Sequence, residues 1–290
     1  ASPAASPGAP AAAALAHAGH AVQGRVGDVA EDAPGGTPKP FEPMPPDRTA
    51  STEDFPTQPP LGLEPVGHPP LGPTLAGGPM TNATTSVHLQ RAWFSATGRD
   101  LTVANQTGNY IYATRGNFFS MHSRTHVYEA MTGRRIAEVV SPLMTWRRTY
   151  ELTTFEPLCP SQKPYETSEG FPLYNFARLT KLLAGVYPRW TLEKYKCDGS
   201  QEKVWDISTR YWFSAKKHLD FKEDQDSKLV GSLDQTYYMS ANMYYDAWIT
   251  QGEDPTLFAV TGLMLDMNIL VDNQAKASAS SSNSNGKHSL

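Results

Sequence analysis

Long hydrophobic runs are missing from this chain of 290 residues. A helix that crosses a bilayer needs about 20 predominantly apolar residues. The longest apolar stretch, 257–270, is shorter and is broken by Thr261, Gly262, Asp266 and Asn268. A carboxylate at bilayer depth costs about 2.5–3.5 kcal/mol or more, so this stretch is too short and too polar for a transmembrane helix, and burial in protein is preferred. Cysteine is scarce as well. Two residues, Cys159 and Cys197, rule out a disulfide-dense scaffold and leave two readings, one bridge across a 37-residue loop or two free thiols. Neither charge sign dominates: 25 Lys/Arg against 29 Asp/Glu give a net charge of −4, which argues against bulk affinity for nucleic acid. No glycine-rich phosphate loop, nucleophile-elbow pentapeptide or HExxH helix occurs, which removes the enzyme classes those motifs serve.

Aromatic residues are scarce at the start of the chain, where Phe41 and Phe55 stand alone. The first 80 residues hold no Trp or Tyr, yet carry 17 of the 24 prolines. Such a segment cannot bury enough apolar surface to offset its ordering entropy, so 1–80 is expected to be disordered. The Ser-rich end, 273–290, reads as a second polar tail. The expected domain is therefore 81–272, of a size that supports a substantial core.

What fills that domain is mostly strand. VHLQRAWFSA (87–96), DLTVANQ (100–106), YIYATRG (110–116) and FFSMHSRTHVYEAM (118–131) alternate with turn clusters. RIAEVVSPL (135–143) follows a turn at Thr132-Gly133, and TWRRTYELTTF (145–155) comes next. Further on stand RWTLEKYK (189–196), a turn at Asp198-Gly199, KVWDISTRYWF (203–213), KHLDF, LVGSLDQTYYMSAN and YYDAWITQG. Ten to twelve short strands are expected of an all-β sandwich or barrel. The stretch 156–188, with five prolines and a helix-like PLYNFARLTKLLAG, reads as an insertion.

One segment breaks the β pattern. In GEDPTLFAVTGLMLDMNILVDN (252–273), Asp254 suits an N-cap and Pro255 the first turn. Apolar side chains then occupy nearly every sector of the helical wheel: Leu257, Phe258, Val260, Leu263, Met264, Leu265 and Ile269. A helix that is apolar all round must be surrounded by protein or lipid. With burial in protein preferred, a closed β-barrel with the helix through its lumen is the container that an otherwise all-β chain can build.

These residues carry a family resemblance. The acid before an apolar helix that ends in Leu-Asp (Asp254 … Leu265-Asp266-Met267-Asn268) resembles the terminal helix of the tubby-like superfamily, and of its LURP-one-related and phospholipid scramblase branches in particular. DLTVANQTGNYIYATRG resembles the family's opening hairpin. HVYEAMTGRRIAEVV followed by TWRRTYEL resembles its next unit. The similarity spans 87–155 and 189–272. It implies a mainly β, roughly twelve-stranded closed antiparallel barrel around a C-terminal hydrophobic helix, in a non-catalytic module without cofactor.

Candidate sites follow from charge. Residues 81–150 hold eight Arg and three acids, whereas 151–272 hold twelve basic and eighteen acidic residues. The doublets Arg134-Arg135 and Arg147-Arg148 are the candidates for contact with an anionic phospholipid surface, at ~1 kcal/mol per basic residue. A protein partner is the alternative, with the barrel as a secreted scaffold. Two glycosylation sequons, at Asn82 and Asn105, the two cysteines and an N-terminal Ala favour a secreted chain over a cytoplasmic or peripheral-membrane one. No metal site is expected. His122 and His126, four apart on a strand, lie ~13 Å from one another and read as exposed. DFKEDQD (220–226) lacks the spacing of a calcium loop.

Overall fold

The computed structural model describes most of residues 80–284, together with residues 43–44, 62–63 and 74–75. The rest of the first 79, the segments 92–99, 118–122, 142–148, 183–186, 210–216, 224–226 and 236–243, residue 169 and the last six lie outside the described residues. Six strands come first: β1 (Thr85–Arg91), β2 (Leu101–Asn105), β3 (Tyr110–Asn117), β4 (Ser123–Glu129), β5 (Arg135–Ser141) and β6 (Thr149–Thr154). Seven follow: β7 (Glu166–Ser168), β8 (Phe171–Leu182), β9 (Arg189–Tyr195), β10 (Gln201–Thr209), β11 (His218–Glu223), β12 (Leu229–Gln235) and β13 (Tyr244–Ile249). Each pairs antiparallel with its neighbour, β6 pairs with β8, and β1 pairs with β13, from Thr85↔Ile249 to Gln90↔Tyr244. Twelve strands thus close a barrel, and β7 is a short addition on the first residues of β8.

Helix α1 (Pro255–Ser284) runs through this barrel. Residues 256–268 are buried without interruption, as an all-round apolar surface requires. Its contacts come from many strands. Tyr112 on β3 bonds Thr256, Thr125 on β4 reaches the Met267 sulfur, and Tyr245 on β13 donates to Asp266 at 2.7 Å. Phe258 lies 5.4 Å from the Trp205 ring on β10 and 4.2 Å from Phe221 on β11. Two glycines make the close approach feasible. A Cβ at Gly231 on β12 would stand 2.2 Å from Phe258, and one at Gly262 would stand 2.9 Å from Leu89 on β1. Asp254 caps the helix, accepting from the backbone N–H of Thr256 and Leu257. The polar residues that argued against lipid, Asp266 and Asn268, are buried in the lumen.

Three expectations need correction. The described part of PLYNFARLTKLLAG, through Leu182, is strand and not helix, and 156–188 is not merely an insertion, because β8 is a stave of the barrel. A register shift opposite Leu152 and Thr153 inserts Phe176, so Leu173 and Phe176 face the core three residues apart. That bulge imitates helical spacing in a strand. Next, the helix does not stop near residue 272 but continues to Ser284 through Ala- and Ser-rich sequence. Extending a nucleated helix is far easier than starting one. Finally, the Pro-rich segment docks at separate points. Met44 is buried and donates its N–H to the Ala130 carbonyl. Leu63 forms a bridge with Leu229. Leu75 is buried and its N–H donates to Asp254 Oδ2 at 2.7 Å. A chain too poor in apolar residues for its own core can still pin single ones onto a barrel that is already closed.

Candidate functional site

Outward-facing residues of β4 to β10 form a network of charges over the barrel wall. Glu138 on β5 is fully buried and meets three basic side chains: Arg124 at 2.9 Å, Arg135 at 2.8 Å and the His126 imidazole at 3.2 Å. Burial alone would raise its pKa. The hydrogen bond and charge of His126, with Arg135 and Arg124, reverse that and hold it at about 2. Arg124 also reaches Glu166 on β7 at 3.0 Å. Glu151 on β6 then accepts from Arg178 at 2.6 Å and from the Tyr195 hydroxyl at 3.1 Å. Burial and the Glu151 charge push the Tyr195 phenol up. The expectation for His126 is corrected: it is buried because Glu138 draws it against the wall, while His122 lies outside the described residues.

A second cluster follows from register. His88↔Asp246, Asp246↔Asp234 and Asp234↔His218 are successive cross-strand partners on β1, β13, β12 and β11. His88 Nδ1 lies 2.6 Å from Asp246, and His218 bonds both Asp234 and Asp220. These two carboxylate bonds raise the His218 pKa to about 9 against the desolvation that opposes them. With both ring nitrogens on carboxylates, His218 is a fixed cation rather than a base. No group able to hold a metal occurs among the described residues.

Linkage gives the pH dependence a sign. A pKa raised in the folded state stabilises fully below the unfolded value near 6.5, and that stability is lost as pH rises through 9. Native protein is expected to lose about 2 kcal/mol over this window, once the exposure of Asp234 is allowed for. Denaturant melts at pH 6 and pH 9.5 should register this loss, and His218→Gln should abolish it. An equal loss in the variant would rule the cluster out as its source.

The predicted sites are scattered. Arg134 is exposed and touches Glu129 at 3.7 Å, whereas Arg135 is drawn onto Glu138 and stacks over Phe155 at 4.8 Å. Arg147 and Arg148 lie outside the described residues, ahead of Thr149, where β6 begins. The Arg134-Arg135 turn precedes β5, whereas the second doublet falls in the sequence between β5 and β6. Cys159 and Cys197 are bonded, with Cα atoms 5.9 Å apart, pinning the segment after β6 to the β9–β10 turn. Asn82 is exposed. Asn105 instead holds the β2–β3 turn, its Oδ1 accepting from Thr107 and Asn109.

Topology exposes a feature that the doublets did not. In an up-and-down barrel the connections alternate between two ends. The near end, where the helix starts, has 106–109, 130–134, 155–165, 169–170, 196–200, 224–228 and 250–254. These contain two aromatic residues, seven carboxylates and four Lys/Arg. At their other ends the strands are joined in sequence by 92–100, 118–122, 142–148, 183–188, 210–217 and 236–243, most of which lie outside the described residues. These contain eleven aromatic residues, six Lys/Arg and a single carboxylate, Asp100. Leu182 and Tyr187, described at that end, are 36% and 50% exposed. In sequence the aromatic doublets read as continuations of the strands, which hid the asymmetry.

No family model matches the chain, and neither does any curated protein. Among solved structures, the X-ray structure of a protein from Arabidopsis thaliana is similar, at 8% identity and a TM-score of 0.39. The match covers 64% of this chain and 92% of that one.

Proposed function

We propose that this protein is a non-catalytic barrel of the tubby-like kind that docks its far end on membranes containing anionic phospholipid. The asymmetry between the ends carries the reading: eleven aromatic residues and six Lys/Arg against one carboxylate. Trp and Tyr favour the membrane–water interface, where an apolar ring can bury and its polar edge stay wet. Lys and Arg gain about 1 kcal/mol each near an anionic surface. Arg147 and Arg148, beside Trp146 in sequence, are among the six basic residues of these connections; Arg134 and Arg135 are not. Docking needs no helix to cross the bilayer, and no helix among the described residues is long and apolar enough to do so.

Flotation of the full chain on liposomes tests this. Vesicles with a third phosphatidylserine should recruit protein that pure phosphatidylcholine vesicles leave behind. Arg147→Ala/Arg148→Ala should weaken recruitment by roughly 30-fold, since two residues at ~1 kcal/mol each are lost. Arg134→Ala should have no effect. Recruitment indifferent to lipid charge, or to the 147–148 pair, would end this reading. The Cys159–Cys197 bond supports a second one: such bonds persist in oxidising compartments, where the barrel would serve as a secreted scaffold for protein contacts.

A further inference from the structure

A cleft of about 190 Å³ opens at the near end. At ~30 Å³ per water it has room for roughly six waters. Leu75, Ile136, Leu158 and Phe176 give it apolar walls, while Arg134 and Glu156 also line it. Each part has a local cause. Leu75 is held there by its N–H bond to Asp254, and Phe176 is turned inward by the bulge in β8. Arg134 follows Gly133, whose positive φ of 69° makes the tight turn. The segment bearing Glu156 and Leu158 is fastened by the Cys159–Cys197 bond and by Gln162, which accepts from the Leu158 N–H and donates to the Asn175 carbonyl.

The charges are the informative part. Arg134 and Glu156 are both exposed. They do not pair with one another, and the contact of the Arg134 guanidinium is the 3.7 Å approach of Nε to Glu129. Among the described residues the Glu156 carboxylate has no partner. A hollow with both apolar and polar walls, lined by the Arg134 guanidinium, which Glu129 holds only at 3.7 Å, and by the unpartnered Glu156 carboxylate, complements a small zwitterion with an apolar body. We infer that this cleft binds a free apolar α-amino acid, its carboxylate toward Arg134, its ammonium toward Glu156 and its side chain against Leu75 and Phe176. This goes beyond membrane docking and does not rest on it, since no residue lining the cleft belongs to the connections on which the docking reading stands.

Calorimetric titration of the full chain with L-phenylalanine, without lipid, is the test. One saturable site is expected. Glycine should bind at least tenfold more weakly, because it lacks the apolar body. N-acetylphenylalanine, without the ammonium, and phenylalanine amide, without the carboxylate, should each bind about fivefold more weakly. Glu156→Gln should erase the penalty of acetylation alone, and Arg134→Gln that of amidation alone. Both residues are exposed, so these variants leave the core intact. Failure to see a saturable site overturns the inference. So does equal binding of the three phenylalanine ligands, or a penalty that survives removal of its matching charge.

Discussion

Replacing Gly231 by alanine is expected to destabilise the barrel by about 3 kcal/mol, at the upper end of what overpacking costs. The new Cβ would fall 2.2 Å from Phe258 Cε2 and 3.1 Å from the Trp248 carbonyl oxygen. Phe258 has nowhere to retreat, because the Trp205 and Phe221 rings flank it at 5.4 and 4.2 Å. Phe258→Ala alone should cost 3–5 kcal/mol, the usual range for emptying an aromatic site in a core. The two changes should not add. In the double variant the alanine methyl occupies space that the ring has left, so the combined loss should fall short of the sum by about 2 kcal/mol. Urea melts of the four proteins measure this directly. Strict additivity would mean that β12 and the helix do not meet in solution, and the barrel-around-helix arrangement would be wrong.

Glu138→Gln should be at least as damaging as the Gly231 change, at about 3–5 kcal/mol, by removing the buried carboxylate that Arg124, Arg135 and His126 contact. Its signature lies in acid. A carboxylate whose folded pKa is depressed stabilises fully above its unfolded value near 4.5, and that stability is lost as pH falls through about 2. Across this window native protein should lose up to about 3 kcal/mol from Glu138 alone. The glutamine variant, already destabilised, should show a correspondingly flatter profile between pH 4.5 and 2. A variant as acid-sensitive as the native chain would show that other carboxylates govern acid unfolding.

The barrel was legible for a reason specific to this chain. The helix is apolar on all sides, too short for a bilayer and the odd element among strands, so its burial dictates the container. Asp254 and Pro255 marked where it begins, and Thr132-Gly133 and Asp198-Gly199 marked turns that are present, with Gly133 and Gly199 at positive φ. What sequence concealed depends on pairing. The bulge at Phe176 gave a strand the spacing of a helix. Buried His126 read as exposed because a polar residue on a strand gives no sign of burial; only its juxtaposition with Glu138 across β4 and β5 buries it. The grouping of aromatic connections at one end appears only when strand direction is known. Arg134 and Glu156, twenty-two positions apart, come to one cleft because β5 and β6 pair between them.

The seam between β1 and β13 sets the terms on which this molecule can be made. Val87 pairs with Ala247, and the core that both strands cover is translated later still. At about 5–20 residues per second, a ribosome takes roughly 10–30 seconds to travel from one to the other. Throughout that interval the first strands offer open hydrogen-bonding edges and an oily inner surface with nothing to wrap. Maturation is therefore expected to be post-translational, slow for its high contact order and reliant on chaperones while nascent. A nonsense mutation just upstream of codon 255 would yield a nearly complete sheet with no means of closing.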